Sequence, residues 1–436
     1  MPHAITTSPP DQVSGSVPLG RGGRLPAVDA LRGLALGGIV VVNVLLFKAS
    51  PSFEHLAATT IDGTVDRGAA VAVKVLAEGK FIGLFSLLFG FGVATQVARW
   101  QARGLPWRRL YARRMAALGA IGATHLFLVW YGDILTTYAV VGVVLALFVN
   151  RTARTQLRWA IGILGTLSAI GVGGLALLAV RGLTGSSALA GSERSAADAD
   201  AIEVARLNEI YRNGDYLDLV QERLTKPGGL IFGLTFSLVV LALMLVGMYI
   251  ARTGLLADVG AHRATFVATA RIGIGVGLPL NVLVVVVQST GGLFTVLAAQ
   301  VLLIALAAPV LTLGLGAAVV LLRERWTLRA LSAAGRLALT NYLLQSVVLT
   351  SVMYSYGLGL YGEVGVAEGA AIALALYLAQ LLLSVWWDGR AGSGPVERVW
   401  RRATYGRHSS TADGTVGEAD RGRAVGSGAA AEAPPA

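Results

Sequence analysis

Apolar runs of bilayer length recur along the chain, at 30–47, 81–98, 113–131, 134–149, 159–180, 229–251, 265–288, 293–322, 336–356 and 366–387. A helix needs about 20 mostly apolar residues to cross the hydrocarbon layer. The pattern therefore predicts an all-α fold, a polytopic integral membrane helix bundle of about ten transmembrane helices, the fourth of them short. One long polar interval, about 181–228, interrupts the series. Within it Ile202, Leu207, Ile210, Leu217, Val220 and Leu224 fall at helical spacing, and Asn213-Gly214 breaks the run in two. This predicts a pair of helices that lies in the membrane plane or caps an outer cavity. The first twenty residues are polar and lack the apolar core of a signal peptide, so the first span is expected to act as the insertion signal. From about Ser409 the tail is Gly, Ala, Ser and Glu with few large apolar residues, and reads as disordered.

Charge fixes the orientation. Only 14% of the 436 residues are charged, against about 25% in soluble domains, and mean hydropathy is +0.66. If the N-terminus is cytoplasmic, the inside connections hold Arg99, Arg103, Arg108, Arg109, Arg113 and Arg114, then Arg151, Arg154 and Arg158, then Arg252 and Arg263, then Arg323, Arg325 and Arg329. The tail adds Arg390, Arg398, Arg401 and Arg402. The outside connections are short or mixed, and 181–228 carries more acids than bases. This is the positive-inside pattern, and it places both termini in the cytoplasm. The net charge of +11 is thereby spent on topology rather than on nucleic acid, since the basic residues form short clusters between apolar runs and no continuous basic face. There is no cysteine and there are five histidines, which excludes disulfide scaffolds and Cys-ligated metals and leaves no basis for a metal site.

Polar side chains within the spans are then the informative residues, because an ionisable group in lipid marks a functional site or a buried pair. Asn43 lies near the outer end of the first span, with Asp29 and Arg32 on one face at the inner end. That pair is either an interfacial anchor or, through the forked donors of Arg32, a contact to the phosphates of a cytoplasmic cofactor. Gly33 and Gly37 form a small-residue step for close helix packing. His125 sits near the outer end of the third span and Asp133 in the turn beyond, followed by Thr136, Thr137 and Tyr138. Eight residues at ~1.5 Å rise separate His125 from Asp133 by about 12 Å on a straight helix, so they meet only if the turn folds back. His125 is either a hydrogen-bonded structural residue or a proton acceptor suited to neutral pH. Asn341 and Gln345, four apart in the ninth span, form an interhelical clamp or line a polar cavity with Tyr138. Gln96, Asn281, Gln300 and Gln380 read as structural. His55, in the outer connection, is a solvated histidine or a base oriented by Asn43.

No phosphate-loop, H-E-x-x-H or G-x-S-x-G motif is present. The segments VDALRGLALGGIVVVN (28–43), FSLLFGFGVATQ (85–96), LGAIGATHLFLVWYGDILTTYAVVG (118–142), YRNGDYLDLVQERL (211–224), LALTNYLLQSVVLTSVMYSYGLGLYG (337–362) and GPVERVWRRATYG (394–406) together resemble the YeiB-like family of bacterial polytopic membrane proteins, whose C-terminal half is called domain of unknown function 418. The resemblance implies a five-span half at 25–180, similar to transmembrane acyltransferases such as heparan glucosaminide N-acetyltransferase, an outer loop at 181–228 and a second five-span half at 229–406. Residues 1–24 and 407–436 would be disordered cytoplasmic ends.

Those acyltransferases use a cytoplasmic acyl-CoA to modify a sugar across the membrane. By that likeness Asn43 ends the first span as in the relative, and His55 lies near the position of its catalytic histidine, in a sequence context that departs from it. The expected function is acyl transfer at a bacterial cytoplasmic (inner) membrane, from acyl-CoA to an outer sugar or lipid hydroxyl or amine. Arg32, Arg108, Arg109 and Arg113 would face the donor's phosphates, and His125 or His55 would act as base. Asn43 and Asp133 would orient groups, while Tyr138, Asn341 and Gln345 line the cavity. The rival from another class is a transporter or flippase for a small or lipidic solute, which a polar midplane cavity would serve equally; no internal repeat of the inverted kind is visible. A third is a non-catalytic scaffold.

Overall fold

The computed structural model describes residues 25–48, 61, 63–183, 190–225, 230–322 and 329–406. Both expected disordered ends and His55 lie outside these. Each of the ten predicted spans falls on a helix, and the described residues contain no strand. In chain order the helices are α1 (Pro26–Phe47), α2 (Thr64–Leu76), α3 (Lys80–Ala102), α4 (Trp107–Thr124), α5 (Leu135–Leu145), α6 (Ala153–Leu183), α7 (Ala190–Asn213) and α8 (Tyr216–Thr225). They continue as α9 (Leu230–Thr253), α10 (Arg263–Thr290), α11 (Leu293–Leu302), α12 (Ala308–Leu322), α13 (Arg329–Arg336), α14 (Ala338–Met353), α15 (Val366–Ala391) and α16 (Pro395–Tyr405). Seven segments are long and apolar enough to cross a membrane: α1, Thr64–Ala102, α6, Gly233–Thr253, α10, Leu293–Leu322 and α15; Leu135–Phe148 and α14 are shorter apolar helices. The third span, α4, carries four arginines in its first eight residues, and its apolar part lies beyond them.

Burial follows what each span must touch. α1 and α3 sit in the middle of the bundle, with Leu36, Val40, Val44, Leu88 and Val97 at most 1% exposed. α6, α10 and α15 keep Leu, Ile and Val on an outer face, as helices facing lipid do. Glycines set the closest approaches. A methyl group on Gly90 of α3 would stand 1.9 Å from the Met244 carbonyl of α9, and one on Gly247 of α9 would stand 1.9 Å from the Leu87 carbonyl of α3. The two backbones therefore run nearly in contact, which only small residues permit. The same device joins α1 to α13, where Gly33 faces the Leu331 carbonyl and Gly335 faces that of Asp29. The Gly33–Gly37 step thus has a partner, and the Tyr377 hydroxyl of α15 donates to the Gly33 carbonyl at 2.6 Å.

The N-terminal and C-terminal spans interleave. α1 packs on α13 and α15, and α3 packs on α9. The polar interval forms α7 and α8, divided at Gly214-Asp215, next to the Asn-Gly pair that predicts the break. The two are strapped together by Arg206, which donates to Glu203 one turn before it and to Glu222 on α8. Those carboxylates hold the guanidinium charged well above its ordinary range. The pair docks on the arginine-poor end of the bundle. Leu219 is fully buried and Tyr211 nearly so. Tyr216 donates to the Leu128 carbonyl at 2.7 Å, and the Ser355 amide donates to the Tyr211 carbonyl at 3.3 Å. By the positive-inside argument this is the outer end.

Candidate functional site

α4 does not run straight into the turn. At His125–Val129 the helix widens into a π turn, and Trp130 then leaves it in an extended conformation. Such single-turn expansions re-aim side chains and recur at functional sites. Here the chain reverses at once and returns Asp133 to the helix it has just left. His125 Nδ1 and Asp133 Oδ1 lie 2.8 Å apart, with both side chains at most 1% exposed. The other carboxylate oxygen, Oδ2, accepts the Thr136 amide at 2.6 Å and so ties Asp133 to the first turn of α5.

A carboxylate only accepts, so a neutral imidazole in this place carries its proton on Nδ1 and presents the Nε2 lone pair. Nε2 is buried and has no hydrogen-bond partner. Tyr342 of α14 packs against the imidazole with ring centres 5.3 Å apart, and Trp130 packs edge-on at 6.3 Å. The arrangement can take a proton from a bound group and keep the resulting imidazolium beside a carboxylate, the orienter-and-base relation of acid–base catalysis.

Polar groups without partners concentrate here. Of eleven buried polar side-chain atoms lacking a hydrogen bond among the described residues, seven belong to His125, Trp130, Thr136, Tyr354 and Arg223. Buried polar atoms are normally satisfied, and exceptions call for a reason. Aromatic rings connect these residues. Trp130 stacks on Phe47 of α1 at 3.9 Å, Tyr131 meets Tyr211 at 6.1 Å, and Tyr211 meets Tyr354 at 4.8 Å and Tyr361 at 5.4 Å. Asn43 is buried one turn before Phe47 on α1, which places it below this cluster.

The other predicted residues distribute differently. Asn341 and Gln345 face α15: Asn341 Nδ2 donates to Ser384 Oγ at 2.9 Å, Gln345 Nε2 to Gln380 Oε1 at 2.8 Å, and Gln380 Nε2 to the Asn341 carbonyl at 3.0 Å. These are the bonds of a helix clamp, whereas the adjacent Tyr342 turns toward His125. The Tyr138 hydroxyl is paired with that of Ser86 at 2.7 Å. At the arginine-rich end, Arg32 donates to Asp29 at 3.3 Å and lies in the electrostatic range of Arg99 and Arg114. Arg114 stacks on Trp400 of α16 at 3.6 Å. Arg108, Arg109 and Arg113 are exposed, with Arg113 beside Gly406. Among the described residues no group of three or more His, Asp or Glu side chains is placed to hold a metal ion.

Tyr342, Trp130, Tyr354 and Arg223 were not singled out by sequence reasoning. The signal available was tyrosine density in SVMYSYGLGLYG and the arginine of LVQERL, both within segments that carry the family resemblance.

Comparison with known proteins agrees with that resemblance. Residues 250–407 match the family described as "Protein of unknown function (DUF418)". The uncharacterized protein YxaH of Bacillus subtilis is 32% identical over 401 residues, covering 88% of this chain and 94% of its own. The uncharacterized protein YeiB of Escherichia coli is 28% identical over 391 residues, covering 86% and 95%. An uncharacterized 39.9 kDa protein of Bacillus acidopullulyticus is 34% identical over 127 residues, 29% of this chain and 34% of its own. No solved structure matches the chain.

Proposed function

Because this chain belongs to the DUF418 family of YxaH- and YeiB-like bacterial membrane proteins, we propose that it is an acyltransferase of the bacterial inner membrane. It would move an acyl group from cytoplasmic acyl-CoA to a hydroxyl or amine of an outer sugar or lipid acceptor. The observation that carries the reading is the buried His125–Asp133 pair with a free Nε2 at the outer end of a membrane bundle. In this mechanism Asp133 holds Nδ1–H, and Nε2 removes the acceptor's proton as its oxygen or nitrogen attacks the thioester carbonyl. The carbon–sulfur bond then breaks, and the imidazolium returns the proton to the departing thiolate. The Trp130 indole N–H, buried without an acceptor, is a donor for the developing oxyanion.

The inner end supplies the complementary chemistry. Arg32, Arg99 and Arg114 form a forked-donor cluster suited to phosphates. Arg114 and His125 are eleven residues apart on α4, close to three full turns, so they share a face about 16 Å apart along the axis. An extended CoA thioester arm is long enough for that span. Asn43 and Tyr138 contribute to the walls between, and Asn341 with Gln345 joins α14 to α15 away from the reacting groups.

The test uses purified full-length protein in proteoliposomes with radiolabelled acetyl-CoA and longer acyl-CoAs outside the cytoplasmic face. Transfer of label to lipid or added amino sugar is expected, with a loss of about 10²–10⁴-fold in His125→Gln, the contribution of a positioned base. No binding of any acyl-CoA by calorimetry refutes the reading. Solute uptake that needs no acyl-CoA would replace it with the transporter or flippase alternative.

A further inference from the structure

Among the described residues, Arg223 is a buried charge with no ion-pair partner. Its side chain emerges from α8 into the aromatic cluster and is 3% exposed. Its guanidinium carbon lies 5.8 Å from the centre of the Tyr354 ring, and it is electrostatically coupled to Tyr131, Tyr211, Tyr354 and Tyr356. The Tyr211 hydroxyl is close enough to interact with the guanidinium, and among the described residues Nε, Nη1 and Nη2 have no acceptor in full hydrogen-bonding geometry. The neighbouring acid, Glu222, is engaged by Arg206 at 2.5 and 2.7 Å. A cation–π contact offsets only part of the cost of burying such a group. An isolated charge held in an apolar setting at the expense of stability has the character of a binding residue.

We propose that Arg223 is the anchor of a phosphoryl-binding site at the outer end of the bundle, beneath the α7–α8 cap. The donor inventory selects the ligand. A guanidinium presents five N–H groups in a fixed fork, and the Tyr354 hydroxyl beside it is also buried without a partner. That set exceeds what the two oxygens of a carboxylate absorb and suits the three oxygens of a phosphoryl group. The Tyr131, Tyr211 and Tyr361 rings, packed on one another, form the apolar surroundings of the site. The ring path Trp130–Tyr131–Tyr211–Tyr354 runs from beside His125 to Arg223. A molecule anchored at Arg223 therefore extends toward the imidazole. This deepens the acyl-transfer reading by giving the acceptor's class, a phosphorylated one, and it rests on that reading only for the direction of the chemistry. A lipid headgroup and a soluble phosphate ester share the recognised group.

The test is thermal unfolding of the full-length protein in nanodiscs, with no acyl-CoA present. One arm adds inorganic phosphate or glycerol phosphate to phosphatidylcholine discs. The other replaces a third of the phosphatidylcholine, a phosphodiester, by phosphatidic acid, whose terminal phosphomonoester presents three oxygens. We expect the wild-type midpoint to rise in at least one arm. A response in the lipid arm alone assigns a headgroup, in the soluble arm alone a free ester, and in both the phosphoryl group itself. Arg223→Met should abolish the response while melting no lower than wild type, because it removes an unpaired buried charge and keeps the volume. Arg223→Lys should bind at least tenfold more weakly, keeping the charge without the fork. The proposal is overturned if neither arm moves the wild type, if Arg223→Met responds equally, or if Arg223→Met melts well below wild type, which would make the guanidinium a structural prop. Phosphate binding without acyl transfer refutes the chemistry and leaves this site standing; acyl transfer unaffected by Arg223→Met, with no phosphate response, does the reverse.

Discussion

Replacing Gly90 by alanine should unseat α3 from α9, and the size of the effect follows from the backbone. The added methyl would lie 1.9 Å from the Met244 carbonyl oxygen, where ordinary contact begins at 3.4 Å. The obstacle is backbone on a partner helix, so no side-chain rotation relieves it, and the helices must part by about 1.5 Å locally. A gap of 0.5–1 Å already forfeits roughly a quarter to a half of each dispersion contact. The seam concerned carries Leu87, Leu88, Phe91, Val240, Met244 and Met248, all buried. The expected cost is at or above the roughly 3 kcal/mol upper range for overpacked cores. Gly165→Ala on α6 is the control. Nothing lies within 4 Å of its added methyl, and helix propensity favours alanine by up to about 1 kcal/mol. Unfolding in mixed micelles with increasing dodecyl sulfate, followed by tryptophan fluorescence, should separate the two by about 4 kcal/mol. If Gly90→Ala unfolds within about 1 kcal/mol of Gly165→Ala, the near-contact of α3 and α9 is wrong.

Arg206→Gln should release α8 from α7 and raise hydrogen exchange across residues 216–225. The side chain is 36% exposed, so the loss is held to about 1 kcal/mol or less. Because the folded pKa of Arg206 is raised, its contribution is complete at every pH below the ordinary arginine range and is lost only above it. Arg206 should therefore lend the strap no pH dependence between pH 5 and 10, while high salt weakens it. Gln345→Leu should cost about 0.6 kcal/mol for the bond to Gln380, the usual worth of such bonds in membranes, and leave acyl transfer within about twofold. A large loss of transfer with unchanged stability would instead make Gln345 part of the cavity wall.

The spans were legible because the bilayer imposes a length that any sequence must meet. The α7–α8 pair was legible from the spacing of Ile202, Leu207 and Ile210. The contact of His125 with Asp133 was not. A regular helix holds them about 12 Å apart, and only the π turn with the extended Trp130 brings them together. Nor could the aromatic seat of Arg223 be read locally, since its tyrosines come from the turn after α4, from α7 and from the turn after α14. Asn341 and Tyr342 show the limit clearly. They are neighbours in sequence, but about 100° of helical rotation sends one to the α15 clamp and the other to the imidazole.

The marriage of α1 to α13 and α15 sets a timetable for synthesis. The carbonyl of Gly33 waits for a tyrosine 344 positions downstream, and the glycine's closest backbone neighbour is no nearer in the chain than Leu331. While the ribosome makes everything between, the first helix to enter the membrane has α2 and α3 beside it but carries Asp29, Arg32 and Asn43 without α13 and α15. A nascent chain arrested before α13 should therefore be a substrate for membrane quality control, and a chaperone that shields α1 during that interval would govern the yield of the finished protein.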